Sequence, residues 1–418
     1  MTENNYQILL QEQLADFNQK NLGVEREALA LVQKQLKTPY AVVISGLRRV
    51  GKSTLLAQIA RRFYPNQFYF LNFEDERFLS FQAQDFNQLY QLLIGLFGLK
   101  KVFLFDEIQN VIGWEHFVRR LIDEGNKVFL TGSNASLLSK EVGTKLTGRY
   151  ASLDLLPFSF REFLTFKSLL VNLQTTKGRG LAQHHLGSYL KKGGLPNALR
   201  YPTRDFHQTL YQDILYRDVA SRYQITEVKA LKELAFFLIS NTAGSISFNK
   251  IKNLLKLGSV NTVKNYIDYL VLSWLFFTLN RYSFSVKRQQ IAPKKIYCIY
   301  TGLVSSVGFS FSPNRGRLLE NLVFLTLRRH FTDIYYYKTQ KGQEIDFYLP
   351  RQRQLVQVCQ TLADPLTRQR EIAALVEAMG ETHLRSALII TENDKAAIKT
   401  AGCQITITPL TEWLLNLN

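Results

Sequence analysis

Residues 46–53 read Gly-Leu-Arg-Arg-Val-Gly-Lys-Ser, between an apolar run at 40–44 and a helix-like run at 54–59. This is a complete G-x-x-x-x-G-K-[ST] pattern with a strand before it and a helix after it, which is the context that a phosphate-binding loop requires. Backbone N–H groups and the positive end of the helix dipole would surround a triphosphate there. The stretch therefore predicts a nucleotide site, and a chance match in a surface loop is the disfavoured alternative.

Two side chains of this loop and two acids further along define a predicted ATP-hydrolysing site. Lys52 is expected to reach the β- and γ-phosphates, and the Ser53 hydroxyl to hold Mg²⁺. A buried run at 101–105 ends in Asp106, a candidate Mg²⁺ carboxylate, and Glu107, which is placed to polarise an attacking water. The predicted nucleotide-binding residues are Gly46, Leu47, Arg48, Arg49, Val50, Gly51, Lys52, Ser53 and Thr54.

A third apolar strand at 128–130 is followed by polar residues that would face the γ-phosphate. Ser133 and Asn134 are the sensor candidates, although Ser and Asn after a strand are equally typical of helix caps. Strands are expected near 40–45, 67–72, 101–105, 127–132 and 150–155, alternating with helical stretches. This alternation is typical of an α/β fold in which a parallel sheet binds its ligand at the carboxyl ends of the strands.

On these motifs the chain resembles the AAA+-like P-loop ATPases. It is most similar to a prokaryotic, STAND-related family that joins such a core to a winged helix and a restriction-endonuclease-like C-terminal domain. The resemblance covers nearly the whole chain after the first twenty residues, and its motifs lie at 46–53, 71–75, 105–109, 131–133, 147–149, 157–163 and 193–196.

The resemblance implies four parts and one further site residue. They are an ATPase core at 22–165, a helical lid at 166–225 that closes over nucleotide, a basic winged helix at 226–312 and a restriction-endonuclease-like domain at 313–418. Arg149 is the arginine-finger candidate, since that position faces a neighbouring subunit in ring-forming relatives. An ordinary surface ion pair is the alternative for this residue.

The net charge of +18 is concentrated in the middle of the chain. Residues 231–318 hold 12 Lys and Arg but only 2 Asp and Glu, whereas 319–418 are neutral overall. A neutral core followed by a strongly basic segment predicts a polyanionic partner, most simply DNA. A rigid spacer or an oligomer contact is the alternative interpretation of the winged helix.

Within this segment, helices are expected at 229–241, 248–255 and 259–272, with Ser259 as the N-cap of the third, and a wing hairpin at 277–299. The third helix places its polar residues on one face, which would enter a major groove. The expected DNA contacts are Asn261, Thr262, Lys264 and Asn265 on that helix and Arg281, Lys287, Arg288, Lys294 and Lys295 on the hairpin.

The last hundred residues resemble a nuclease fold that has lost part of its site. A helix opening near 317, a hairpin of 334–339 with 344–349, and a strand at 355–359 give the pattern. An active member would join Glu320 and Asp346 to an acid and a lysine, at the positions where this chain has Gln357 and Cys359. Glu344 is a candidate to replace the acid, and nothing replaces the lysine. The domain is therefore predicted to bind or to scaffold without cleaving.

Composition limits the remaining choices. The 418 residues allow about three domains, and no run approaches the ~18 apolar residues that a membrane helix needs. Three widely spaced cysteines, without His at ligand spacing, predict neither disulfides nor zinc. With a polar N-terminus, these features predict a cytoplasmic protein.

Two functions remain open from the sequence. The first is a DNA-dependent ATPase that grips or remodels DNA through nucleotide-driven lid motion. The second is a nucleotide-controlled protein scaffold or signalling ATPase, in which the basic surface only aids solubility. An ATP-gated nuclease is disfavoured by Gln357 and Cys359. The sequence leaves open whether the protein forms a homo-oligomer, which DNA structure it prefers and which pathway it serves.

Overall fold

Five largely apolar runs form the first sheet. The computed structural model describes residues 3–132, 146, 148–203, 205–308, 315–400 and 402–417. The strands of this sheet are β1 Ala41–Ser45, β2 Tyr69–Asn72, β3 Val102–Asp106, β4 Lys127–Gly132 and β5 Tyr150–Asp154. They run parallel in the order β2-β3-β4-β1-β5. The predicted strands agree to within two residues, and the parallel α/β sheet is confirmed.

Helices accompany this sheet within the unit Met1–Leu156. They are α1 Glu3–Gln19, α2 Ala28–Gln35, α3 Lys52–Phe63, α4 Phe86–Phe97 and α5 Trp114–Asp123. Helix α3 begins directly after Gly51, whose φ of 99° lies in the left-handed region that favours glycine. The phosphate-binding loop therefore turns sharply into the helix, as the motif predicts.

Both edges of the sheet have a helix beside them. Helix α1 packs on β2 with Leu9 and Leu10 in the core, and the Gln13 side chain bonds the main chain of Asn72. The distances are 3.1 Å from Gln13 Nε2 to the Asn72 carbonyl and 2.9 Å from the Asn72 nitrogen to Gln13 Oε1. Helix α2 contacts β5 at the other edge.

The second unit, Pro157–Asn418, opens with helices. They are α6 Phe160–Phe166, α7 Thr176–Lys192, α8 Pro196–Arg200, α9 Phe206–Asp213 and a π-helical stretch at Ile214–Ser221. Gly193, after α7, has a φ of 72°, and a Cβ there would lie 2.9 Å from the Gly302 nitrogen. Gly193 is required in the break between α7 and α8 because two backbone segments meet there.

The basic middle of the chain combines helices with a small antiparallel sheet of order β6-β8-β7. Its elements are α10 Val228–Ser240, β6 Ser245–Ile246, α11 Phe248–Leu254, α12 Val260–Leu272, β7 Phe276–Leu279, α13 Val286–Ile291, β8 Lys294–Cys298 and α14 Thr301–Val307. The Ser259 hydroxyl accepts a hydrogen bond from the Thr262 nitrogen, which confirms the predicted N-cap. The predicted simple hairpin is wrong in one respect, because α13 lies between β7 and β8.

The C-terminal part forms a mixed sheet of order β13-β14-β12-β11-β10-β9. Its strands are β9 Tyr335–Lys338, β10 Glu344–Leu349, β11 Gln354–Val358, β12 Ser386–Thr391, β13 Ala396–Thr400 and β14 Cys403–Pro409. Its helices are α15 Arg315–His330, α16 Pro365–Thr382 and α17 Leu410–Asn416. The predicted helix, hairpin and following strand are all present.

Among the residues that the structure describes, no helix combines the length and the apolar character needed to cross a bilayer.

Candidate functional site

The phosphate-binding loop is held in shape by glycines and by one buried ammonium. A Cβ on Gly46 would lie 2.3 Å from the Leu155 carbonyl oxygen, so that no larger residue fits. Lys52 is 6% exposed, and its Nζ donates to the carbonyls of Gly46 at 3.2 Å and Leu47 at 3.3 Å. All nine predicted nucleotide-binding residues, 46–54, lie in this loop and in the first turn of α3.

Asp106 ends β3 at the same sheet edge and is buried. Burial raises the pKa of Asp106, while hydrogen bonds from Ser53 and Thr131 act in the opposite direction. Ser53 follows β1 and Thr131 lies on β4, which is the strand between β1 and β3. The predicted pair of magnesium ligands, Ser53 and Asp106, is therefore brought into direct contact.

Glu107 is the neighbouring acid, and contacts with Thr131, Lys52 and Gln109 fix its position. Its φ of 51° lies in the left-handed region, which is costly for a residue other than glycine. Its backbone nitrogen donates to Thr131 Oγ1 at 3.1 Å, its Oε1 lies 3.6 Å from Lys52 Nζ, and its Oε2 accepts from Gln109 Nε2. Thr131 thus connects both acids, a role that the sequence did not reveal.

These residues fit a magnesium ion delivered with a nucleotide. A hydroxyl and a carboxylate are the oxygen ligands that Mg²⁺ prefers, and it commonly takes only one or two protein ligands beside phosphates and water. Within the described ranges, no group of three or more His, Cys, Asp or Glu could hold a metal alone. The pair of Ser53 and Asp106 therefore suits a nucleotide-bound Mg²⁺ better than a permanently resident metal.

Arg26 supports the loop from behind and was missed by the sequence interpretation. It is 4% exposed; its guanidinium donates to the Val50 carbonyl at 3.0 Å and to the Leu156 carbonyl at 2.6 Å. Its backbone nitrogen donates to Gln58 Oε1 on α3. A single arginine ahead of the first strand carries no recognisable motif, so only the folded chain shows that it braces the loop.

The other two predicted catalytic residues are Asn134 and Arg149. Asn134, like Ser133, lies outside the described residues. Arg149 precedes β5 and forms an ion pair with Asp123. Since the parallel strands place the amino end of β5 roughly 16 Å from the carboxyl edge, Arg149 is remote from the loop of its own chain. Its action on a neighbouring subunit remains a prediction.

The predicted DNA-contacting face of α12 is largely in solvent. Asn261, Lys264 and Asn265 are exposed, whereas Thr262 is half-buried and its hydroxyl contacts Ser259. Lys264 Nζ also lies 5.8 Å from the centre of the Phe248 ring. Three of the four predicted residues can therefore meet a ligand.

The predicted DNA-contacting cations after β7 differ in their exposure to solvent. Lys287 and Arg288 on α13 are exposed, and Lys294 is half-buried. Arg281 donates to the Lys338 carbonyl at 3.0 Å, which ties this segment to β9. Lys264 and Lys294 both interact electrostatically with Asp268, so the α12 face adjoins the start of β8.

The prediction that Lys295 contacts DNA is wrong. Lys295 is 2% exposed, and its ammonium lies between three carboxylates of the C-terminal domain. The distances from Nζ are 2.7 Å to Glu320, 3.0 Å to Glu344 and 3.0 Å to Asp346. The expectation that nothing replaces the missing lysine is also corrected, because a lysine from the basic middle occupies the acid cluster.

The electrostatics of this ion cluster follow from three acids around one cation. Burial and the Asp346 carboxylate raise the pKa of Glu320, whereas the Lys295 ammonium and the Tyr297 hydroxyl lower it. The net result is a pKa of about 7. Burial alone would lower the pKa of Lys295, but the surrounding anionic groups raise it well above its usual value. The ammonium therefore stays charged, and Glu320 gains a proton near neutral pH.

Gln357 and Cys359 are both engaged in other contacts. Gln357 Nε2 donates to Glu371 at 2.8 Å, and its Oε1 accepts from the Asp346 nitrogen at 3.1 Å. Cys359 Sγ donates to the Thr361 carbonyl at 3.0 Å. Neither side chain supplies the charge that the predicted nuclease site lacks.

Comparison with known proteins finds three family models in sequence. An AAA domain matches residues 38–164, a domain of unknown function (DUF8612) matches 183–313, and another (DUF4143) matches 315–413. Among solved structures, AMPPCP-bound DnaA from Aquifex aeolicus shares 14% identity over 59% of this chain and 87% of that chain. Its TM-score is 0.27, so this likeness says nothing about what the present chain binds.

Two relatives match much more of the sequence. An uncharacterized protein of Haemophilus influenzae is 33% identical over 74% of this chain and 79% of its own length. The uncharacterized protein MJ1544 of Methanocaldococcus jannaschii is 35% identical over 98% of this chain and 95% of its own length. The chain therefore belongs to the same family as MJ1544, with an AAA domain of the P-loop type followed by DUF8612 and DUF4143 domains.

Proposed function

We propose that this protein is a Mg²⁺-dependent ATP hydrolase that binds DNA through its basic middle domain. The observation that carries the proposal is the convergence of Lys52, Ser53, Asp106 and Glu107 at one sheet edge, joined by Thr131. A nucleotide-binding loop alone supports binding, whereas a second acid beside the metal carboxylate also supports attack by water.

Each residue has a distinct role in this proposal. Lys52 binds the β- and γ-phosphates, which compete with the loop carbonyls and Glu107 for its ammonium. Ser53 and Asp106 hold Mg²⁺, which neutralises charge on the phosphates when bound. Glu107 orients the attacking water and accepts its proton. Gln109 and Thr131 fix the Glu107 carboxylate and backbone, so that the base is positioned before the nucleotide binds.

DNA binding is supported by the charge and exposure of the middle segment. Residues 231–318 carry a net charge of +10, and exposed side chains include Lys264, Lys287 and Arg288. The order of helices and strands from α10 to β8 is the one that a winged helix requires, which supports placing α12 in a major groove. In this proposal, the helical lid at 166–225 couples nucleotide turnover to the grip on DNA.

The C-terminal module is proposed to bind or scaffold without cutting. The Lys295 ammonium lies between three carboxylates of this module and pairs with each of them, so a divalent metal would have to compete with this cation for the same oxygens. Gln357 is neutral and already bonded at both ends of its amide. Among the described residues, this cluster therefore offers neither a metal-binding group of side chains nor an unpaired cation for the hydrolysis of a phosphodiester.

Steady-state ATPase assays test the hydrolase proposal. Glu107→Gln is expected to retain ATP binding and to slow turnover about a hundredfold or more, because the water-polarising base is lost. Lys52→Ala is expected to weaken nucleotide binding itself. Glu124→Gln, an exposed acid after α5, is the matched control. Unaltered turnover in Glu107→Gln would refute its assigned role.

DNA binding is tested by adding single-stranded, duplex and branched DNA to the ATPase assay and by measuring affinity against salt. The variant Lys287→Ala/Arg288→Ala/Lys294→Ala is expected to flatten the log–log salt slope by up to about three units, if all three contact phosphate. Lys229→Ala, whose side chain is 92% exposed on α10, is the control. Hydrolysis unaffected by every DNA, with no measurable binding, would favour the protein-scaffold alternative.

A further inference from the structure

An exposed apolar patch lies among the cations that follow β7. Phe284 is 93% exposed, and Val286 and Ile291, at the two ends of α13, are 67% and 74% exposed. Three large apolar side chains this close in sequence are unusual at a surface unless they meet a partner. We call these three residues and the adjacent Lys287 and Arg288 the α13 patch.

The Phe284 ring rests on a fixed aromatic base. Tyr282 meets Phe284 edge-on, with ring centres 5.3 Å apart. Tyr282 is in turn packed on Tyr348 at 4.7 Å and on Tyr335 at 5.6 Å, next to the core of the C-terminal sheet. Its backbone nitrogen donates to the Tyr336 carbonyl at 2.7 Å. The exposed ring is therefore supported from below, and its outer surface faces solvent.

The surroundings of this ring are cationic. Lys287 and Arg288 are exposed, and neither forms an ion pair within the described part of the chain. Arg281 follows β7, and the exposed Lys338 is the last residue of β9. The Arg281 guanidinium donates to the Lys338 carbonyl at 3.0 Å, which holds the two residues together. An aromatic platform flanked by cations is the combination with which proteins bind single-stranded nucleic acid.

We propose that the α13 patch binds unpaired nucleotides, with a base stacked on Phe284 and the adjacent phosphates held by Lys287 and Arg288. This inference rests on the proposed binding of DNA and specifies its form. A duplex presents phosphates to the two cations but keeps its base faces inside the stack. The exposed Phe284 ring adds affinity only where a base is unpaired.

An anionic membrane is the other surface that could accept cations and apolar side chains. Membrane-surface helices bury a long apolar face, whereas α13 has only six residues. A single ring backed by tyrosines suits one planar base better than a layer of acyl chains. The geometry therefore favours nucleic acid.

Fluorescence anisotropy with labelled oligonucleotides tests the proposal. The wild-type protein is expected to bind a 20-nucleotide single strand more tightly than a 20-base-pair duplex, and Phe284→Ala to lose on the order of tenfold in affinity for the single strand alone. Leu170→Ala is the matched control, since Leu170 is another fully exposed apolar side chain of the same unit. Phe284→Trp is expected to retain or improve single-strand affinity.

An abasic oligonucleotide provides a test that does not depend on the folding of a variant. It keeps the phosphates and removes the bases, so the wild-type protein is expected to bind it about as weakly as Phe284→Ala binds the normal strand. Equal affinity for the abasic and normal strands would overturn the stacking proposal and leave DNA binding intact. Absence of binding to any nucleic acid would overturn both. Binding to anionic vesicles that is lost in Phe284→Ala, without an effect on oligonucleotides, would identify a membrane surface instead.

Discussion

Replacing Lys295 by Met is expected to destabilise the second unit strongly. The methionine keeps most of the side-chain length and removes the ammonium that lies 2.7 to 3.0 Å from Glu320, Glu344 and Asp346. Glu344 is 38% exposed at its side chain and can turn to water, but Glu320 and Asp346 cannot. Breaking a buried ion pair by removing one partner typically costs about 3 to 5 kcal/mol.

The loss of stability in Lys295→Met should depend on pH in a defined direction. The pKa of Glu320 is already raised to about 7 in the folded chain, above its unfolded value near 4.5, and loss of the ammonium raises it further. An acid whose pKa is higher in the folded state favours folding at low pH, and this contribution is lost as the pH rises through the folded pKa. Lys295→Met should therefore be destabilised more at pH 8 than at pH 5.

Calorimetry and circular dichroism at pH 5 and pH 8 measure this effect. A change of about 3 to 5 kcal/mol corresponds to a fall in Tm on the order of 10 °C for a unit of this size. Lys294→Met, the half-buried neighbour on the same strand, is the control and is expected to change stability by about 0.5 kcal/mol or less. Adding Glu320→Gln to Lys295→Met should restore part of the loss at pH 8. Equal melting of the two single variants, or a loss that is the same at both pH values, would refute the reasoning.

Three further predictions concern the nucleotide site and the C-terminal module. Thr131→Val removes the hydroxyl that contacts Asp106 and the Glu107 nitrogen, so kcat should fall about tenfold or more with a smaller change in nucleotide affinity; a change in affinity alone would contradict this. Arg26→Lys cannot reach both the Val50 and the Leu156 carbonyls. It should cost about 1 to 3 kcal/mol of stability and weaken binding of an ATP analogue, as thermal melting and titration would show. No cleavage of linear, supercoiled or branched DNA is expected with Mg²⁺ or Mn²⁺, and metal-dependent cutting that disappears in Asp346→Ala would overturn that expectation.

The parts of the fold that the sequence predicted are those with strong local signals. Strands β1 to β4 are almost entirely buried on both faces, so they appear as short apolar runs that helical stretches separate. The phosphate-binding loop is specified by contiguous residues, and Asp106 and Glu107 follow directly from the end of a strand. Motifs of adjacent residues were therefore sufficient to predict Lys52, Ser53 and the two acids as site residues.

The remaining features depend on contacts between distant residues. Lys295 is separated from Asp346 by 51 residues, and a count of charges treats every lysine as a surface cation. Helix α13 was missed because a six-residue segment between two strands has too short an apolar pattern to distinguish it from a hairpin. Arg26 and Thr131 act through contacts with residues far away in the sequence, and no local motif indicates such contacts.

The pairing of Gln13 with Asn72 has a consequence for how copies of this chain can meet. The side-chain amide offers one donor and one acceptor to the outer strand β2, as the backbone of an adjoining strand would. Exposed strand edges are the usual starting points of β-sheet aggregation, and natural proteins cover them. With α1 beside β2 and α2 beside β5, both outer strands of the ATPase sheet have a helix next to them, so copies of this unit are expected to meet through helices and loops and not by extending this sheet.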